Sequence, residues 1–150
     1  MNNGVCAPAH RIGLAALLLA TAVGCSSPDE EPLPAGALVP GTAVITINDQ
    51  DLGVVTSVGC TSAGSLMTIT TGDDTKGSTS VVSNEDGLTA QSVYIRDLGG
   101  VTGSYNLDLG GEAEVQMTGN TYSITGSADG FETETPSFRK QGTFEIKVAC

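Results

Sequence analysis

The chain has 150 residues, 17 acidic against 6 basic, no Trp, and a formal charge of −11. Such a surface lacks the clustered Lys and Arg that a phosphate backbone requires, so nucleic acid is not an expected partner, and docking of the protein part on anionic lipid is disfavoured. The length allows one domain, with a core drawn from Val, Ile and Leu and a few Phe, Tyr and Met.

Ile12–Val23 is a 12-residue run, apolar apart from Gly13 and Thr21, with Arg11 before it. A membrane-spanning helix needs about 20 such residues, so this run fits the apolar region of a signal peptide instead. It closes on Ala22-Val23-Gly24-Cys25, which resembles the lipobox of bacterial lipoproteins. The resemblance implies a cut between Gly24 and Cys25, with a diacylglyceryl group on the Cys25 sulfur. Two or more chains hold a protein on a membrane firmly where one gives only marginal binding. Removal of residues 1–24 takes Arg11 and no acid, so the mature chain holds five basic and 17 acidic side chains, a charge of −12. Residues 25–41 read as a tether: Pro28, Pro32, Pro34 and Pro40 surround the acidic run Asp29-Glu30-Glu31. Chain of this composition is extended and solvated, at up to ~3.1 Å per residue.

From residue 42 to 150 the pattern is short strands between turn signals. Ala43–Ile47 leads into a turn at Asn48-Asp49-Gln50-Asp51. Val54–Cys60 and Leu66–Thr71 follow, the second closed by Gly72-Asp73-Asp74. Ser78–Ser83 reads as a strand or a single helical turn. Leu88–Ile95 and Val101–Leu109 flank Asp97-Leu98-Gly99-Gly100. Glu112–Thr118 and Thr121–Ser127 form the clearest hairpin, with Gly119-Asn120 as its two-residue turn. Residues 128–142 are the longest stretch without a pattern, and Gly142–Cys150 is a final strand. Strands this short, rich in Thr, Val and Ile and punctuated by Gly, indicate an all-β fold, a small antiparallel sandwich or barrel-like domain.

Four cysteines reduce to two. Cys6 leaves with the signal peptide and Cys25 is taken by lipid, so Cys60 and Cys150 have a single pairing. Export places them in an oxidising compartment. Alternation puts Cys60 in phase with Val54, Thr56 and Val58, and Cys150 in phase with Phe144, Ile146 and Val148, so both are expected to point into the core.

Chemistry is sparse. The one histidine, His10, lies in the signal peptide, so the mature chain lacks the commonest general base and transition-metal ligand. No catalytic constellation, metal site or cofactor site emerges. Asp49 and Asp51 could face a calcium ion, but an EF-hand would require Gly and Glu where Val54 and Cys60 stand, and a hairpin turn accounts for them better. Asp73-Asp74 reads as a solvated loop tip. Glu132 and Glu134 share a strand-spaced phase, as glycosidase acids sometimes do, but nothing nearby suggests a sugar cleft, as the chain lacks Trp. The segment holding Phe131, Glu132, Glu134, Phe138, Arg139 and Lys140 is the candidate interaction loop, since binding residues concentrate on loops carried by rigid scaffolds. The plainer expectation is that both Phe rings plug one end of the core while the charges face water.

Several stretches resemble one known family, the mycobacterial nineteen-kilodalton lipoprotein antigens. They are Val58-Gly59-Cys60-Thr61, Gly100-Val101-Thr102 with Tyr105, Tyr122-Ser123-Ile124-Thr125-Gly126-Ser127-Ala128-Asp129-Gly130, and the closing Phe144-Glu145-Ile146-Lys147-Val148-Ala149-Cys150. The resemblance implies a non-enzymatic surface antigen, adhesin-like, anchored on the extracytoplasmic face of the cell membrane. It also implies that the acyl chains on Cys25 act as an agonist of host Toll-like receptor 2. Family tethers are glycosylated on Thr-rich stretches; this tether has only Ser26 and Ser27 before Thr42. The alternative reading is a tethered module that binds a small apolar ligand or lipid in a cavity between its sheets, which an apolar cavity of a few hundred Å³ would support.

Overall fold

A computed structural model describes residues 32–150; the expected signal peptide, Cys25 and the expected tether as far as Glu31 lie outside the described residues. Ten antiparallel strands build one nearly closed, barrel-like sheet: β1 (Ala43–Ile47), β2 (Gln50–Val55), β3 (Val58–Ala63), β4 (Leu66–Gly72), β5 (Gly77–Ser83), β6 (Thr89–Leu98), β7 (Val101–Asn106), β8 (Ala113–Thr118), β9 (Thr121–Glu132) and β10 (Thr135–Ala149). Their order is β2-β1-β10-β9-β7-β6-β5-β4-β3, with β8 paired to β9.

Alternation decides which side of each strand is inside. On β10 the inward residues are Gly142, Phe144, Ile146 and Val148; on β9 they are Tyr122, Ile124 and Ala128. Ile45 and Ile47 of β1, Ile69 of β4, Val82 of β5, Val93 and Ile95 of β6, and Tyr105 of β7 complete the interior. Without Trp, the core is filled mainly by β-branched residues, the types that fit a half-buried pleated surface. The polar side chains Thr71, Ser78 and Ser80 are also interior. The hydroxyls of Thr71 and Ser78 satisfy each other at 2.7 Å, while Ser80 Oγ has no protein partner.

Two strands change partner midway, and these changes shape the barrel. β9 pairs with β10 along its length; its opposite edge meets β8 from Thr121 to Gly126 and β7 from Asp129 to Glu132. Gly126 lies where β8 ends on β9. A Cβ there would collide with the Glu112 carbonyl and come within 2.9 Å of Phe144 Cζ, so only glycine admits that ring. The other divided path is β2–β3. Leu52 and Gly53 together oppose Ile45, forming a bulge in which Gly53 takes φ +81°. After Val55 the chain leaves β1 and joins β4, with Ser57 bonded to Gly72 through both its carbonyl and its hydroxyl.

That path corrects the single strand expected over Val54–Cys60. The bulge shifts the phase, turning Leu52 and Val55 inward and leaving Val54 69% exposed. From Val58 the strand returns to the expected phase: Cys60 stands opposite buried Ile69 on the inner face but is exposed because β3 ends the sheet, while Cys150 is half-buried against the core. The bond itself joins them across the seam, with Cα atoms 5.9 Å apart. The stretch 128–142 is likewise no irregular loop. β9 continues to Glu132 and β10 begins at Thr135, with the irregularity confined between Thr135 and Arg139, where Pro136 needs no ladder donor.

Other elements follow the sequence closely. Ser78–Ser83 is strand, within β5. The β8–β9 turn is Gly119-Asn120 with Gly119 at φ +57°. The β1–β2 turn is tighter than expected, confined to Asn48 and Asp49, which both take positive φ as a two-residue primed turn requires. The end of the tether lies against the domain. Leu38 N donates to Thr121 Oγ1 at 2.8 Å and Gly41 N to the Ala149 carbonyl at 2.9 Å. A Cβ at Gly119 would be 3.7 Å from Pro34, which places that proline on the β8–β9 turn.

Candidate functional site

The six residues of the candidate loop sit on the β9–β10 hairpin and its bulge. Glu132 and Lys140 form an ion pair at 2.6 Å, and the Lys140 ammonium holds the Glu132 carboxyl below its ordinary pKa. Thr133 and Glu134 make the turn; Thr133 N donates to the Gly100 carbonyl at 2.8 Å, tying this hairpin to the β6–β7 turn. Phe131 is half-buried, while Phe138 is 75% exposed. The expectation that both rings plug the core therefore fails: Phe131 stands on the outer face opposite Thr102, and Phe138 lies in the bulge, which frees it from inward-outward alternation.

Antiparallel topology brings the β4–β5, β6–β7 and β9–β10 turns to one end of the barrel, remote from Cys150. Four of the five basic residues of residues 25–150 (Lys76, Arg96, Arg139 and Lys140) lie on or beside these turns. Lys76 pairs with Asp97 at 2.9 Å, lowering the Asp97 pKa. Asp73 Oδ1 accepts from Thr75 Oγ1, Lys76 N and Thr75 N; these bonds, the Thr75 hydroxyl foremost, lower its pKa to about 2. Asp73 is thus a structural turn residue. Asp51 has a similar local use, accepting from Gly53 N at 2.7 Å. Among the described residues no group of three His, Cys, Asp or Glu side chains could hold a metal ion.

A second feature lies on the outer face beside the hairpin. Cross-strand register aligns Tyr94, Ser104, Asp129 and Gln141 in one row across β6, β7, β9 and β10. Thr102, Phe131 and Arg139 form the adjacent row. With small side chains in the middle and larger ones at the sides, the rows enclose a shallow trough of about 410 Å³. Arg96 fixes one wall: its guanidinium lies 5.6 Å from the Tyr94 ring centroid and donates to Thr79 Oγ1 and the Asp73 carbonyl, each at 3.2 Å. Sequence reasoning singled out Phe131 and Arg139 but not Tyr94, Ser104 or Asp129. Alternation with buried Val93 and Ile95 already turned Tyr94 outward; the alignment with β9 came only from the fold.

The sequence profile of the Mycobacterium 19 kDa lipoprotein antigen family matches residues 36–150, from the end of the docked tether through Cys150. The chain belongs to this family. It is similar to lipoprotein LpqH of Mycobacterium avium, 37% identical over 111 residues that cover 73% of this chain and 68% of that protein. It is 33% identical to lipoprotein LpqH of Mycobacterium tuberculosis H37Rv over 107 residues, 71% and 67% of the two chains. A lipoprotein of Mycobacterium avium subsp. hominissuis aligns over 90% of both chains at 32% identity. On this family member the trough and the β9–β10 hairpin present Tyr94, Phe138, Asp129 and Arg139 at the surface.

Proposed function

We propose that this chain is an exported, non-enzymatic lipoprotein antigen, acylated on Cys25 and held on the extracytoplasmic face of the cell membrane. The observation that carries this reading is a family match over residues 36–150 preceded by the lipobox-like Ala22-Val23-Gly24-Cys25. Its acylated N-terminus serves as an agonist of an innate immune receptor, and its domain is adhesin-like. The absence of His from residues 25–150 and the local structural use of Asp73 and Asp51 support a role without catalysis. The outward-facing trough supports the adhesin-like part.

The decisive measurement is the intact mass of protein extracted from membranes, beside a Cys25→Ser variant. Wild type should carry the mass of its acyl groups from Cys25 onward, remain with membranes and stimulate a Toll-like receptor 2 reporter. The variant should leave the membrane and lose that stimulation. An unacylated native mass, or a variant equally membrane-bound, would overturn the reading.

A further inference from the structure

We propose that the trough between Tyr94 and Arg139 is a binding site for a neutral polysaccharide. This names a ligand class for the adhesin-like part of the function above, and its geometry is independent of the lipid anchor. Three features select the ligand. The first is the Tyr94 ring, 45% exposed and held in place by Arg96. Opposite it lie Phe131 and Pro136, so both sides of the trough offer apolar surface. A pyranose has the matching shape: one face of C–H groups, suited to an aromatic surface, and a rim of hydroxyls.

The second is the polar set between those walls. Ser104, Asp129 and Gln141 stand side by side in one register row, with Arg139 in the next. Of these, Ser104, Asp129 and Arg139 line the trough and offer a hydroxyl, a carboxylate and a guanidinium, which suits alternating donors and acceptors such as vicinal sugar hydroxyls. Among the described residues, neither Asp129 nor Arg139 is engaged in an ion pair. Their polar capacity faces the open trough.

Charge supplies the third. The mature chain carries −12, which repels an anionic polymer, whereas the trough lining holds one acid and one base. A neutral glycan meets no electrostatic penalty in such a site. The trough is open and shallow, as is needed to grip part of a long chain whose ends continue past the protein. It is unsuited to enclosing a small apolar molecule, which requires burial of most of the ligand surface.

The test is retardation in native gels containing mannan, galactan, dextran or amylose, with heparin as the polyanionic comparison. The protein is the full-length chain as exported by a mycobacterial host, in detergent. At least one neutral polysaccharide should slow it, equally at low and high salt. Tyr94→Ala should weaken binding by about tenfold, in line with loss of a stacked aromatic surface, while Tyr94→Phe should retain most of it. Arg139→Ala, a change on an exposed side chain, should also weaken binding without altering the thermal midpoint. Absence of retardation by every neutral polysaccharide would overturn the proposal, as would heparin binding alone that salt abolishes. Unchanged binding by folded Tyr94→Ala would do the same. Glycan binding by a protein whose mass lacks acyl groups would sink the anchor and leave this site standing.

Discussion

Replacing both Cys60 and Cys150 by Ala should remove much of the stability of the domain. The bond closes a sequence separation of 90 residues, spanning β4 to β10. In the chain-entropy treatment, releasing a loop of that length costs about 4.6 kcal/mol at 25 °C. The position in the sheet reinforces this: β3 has a ladder partner only in β4, and the disulfide secures it to the end of β10. Urea unfolding of the mature protein, followed by far-UV circular dichroism because Trp is absent, gives the measurement. With a slope of about 1.5 kcal/mol per molar, the midpoint should fall by about 3 M. Hydrogen exchange should rise most in β2 and β3, where the seam is released. A loss below about 1 kcal/mol, or exchange increased evenly over all strands, would refute the assignment of the bond as the clasp of the barrel.

Three other perturbations test the interior and the turns. Ser80→Ala should raise stability by up to about 1 kcal/mol, because the buried hydroxyl it removes has no protein partner; a fall in the thermal midpoint would show that Ser80 Oγ is bonded, for example to buried water. Gly126→Ala should lower stability by about 2 kcal/mol, through collision with the Glu112 carbonyl and the Phe144 ring, and a neutral result in urea unfolding would contradict that crowding. Thr75→Ala should raise the Asp73 pKa from about 2, as its hydroxyl is the leading cause of the depression. Because folding lowers this pKa, the associated stability is present above the ordinary carboxylate range and is lost as pH falls from near 3.8 toward 2. Carboxyl NMR titration reads the shift, and an unmoved midpoint would refute the turn assignment.

Much of this fold is legible from periodicity because its strands have one dry face and one wet face. Phe144, Ile146 and Val148 alternate cleanly, and β10 is where the pattern places its second half. Legibility fails where a strand changes partner. At Gly53 the bulge moves the inward phase from Val54 to Val55, and nothing in Asp-Leu-Gly-Val-Val announces the shift without knowledge that Ile45 stands opposite. The β9–β10 hairpin escapes notice for a different reason: its turn is Thr133-Glu134, with no Gly, Asn or Pro in it, and the flanking residues are too polar to show alternation. The candidate site divides along the same line. Phe131 and Arg139 stand out by composition, but their alignment with Thr102, and that of Tyr94 with Ser104 and Asp129, depends on sheet register.

That division bears on where a ligand can be held. A carrier of apolar molecules needs interior volume, yet the inner face here is occupied by Ile45, Ile69, Val93, Ile124 and Ile146, each at most 1% exposed, with Tyr105, Tyr122 and Phe144 packed among them. The depressions on the domain, of about 270 to 510 Å³, are lined mainly by outward residues and polar turns. A barrel this small spends its interior on its own stability, the disulfide adding what a modest core leaves short. The outer face carries no such obligation. Strand alternation allows Tyr94, Ser104 and Asp129 to vary there without disturbing Val93, Gly103 and Ala128 on the opposite side of the same strands. A functional surface on this scaffold is therefore expected among the outward residues of β6, β7, β9 and β10, where side chains can be chosen for a partner rather than for the core.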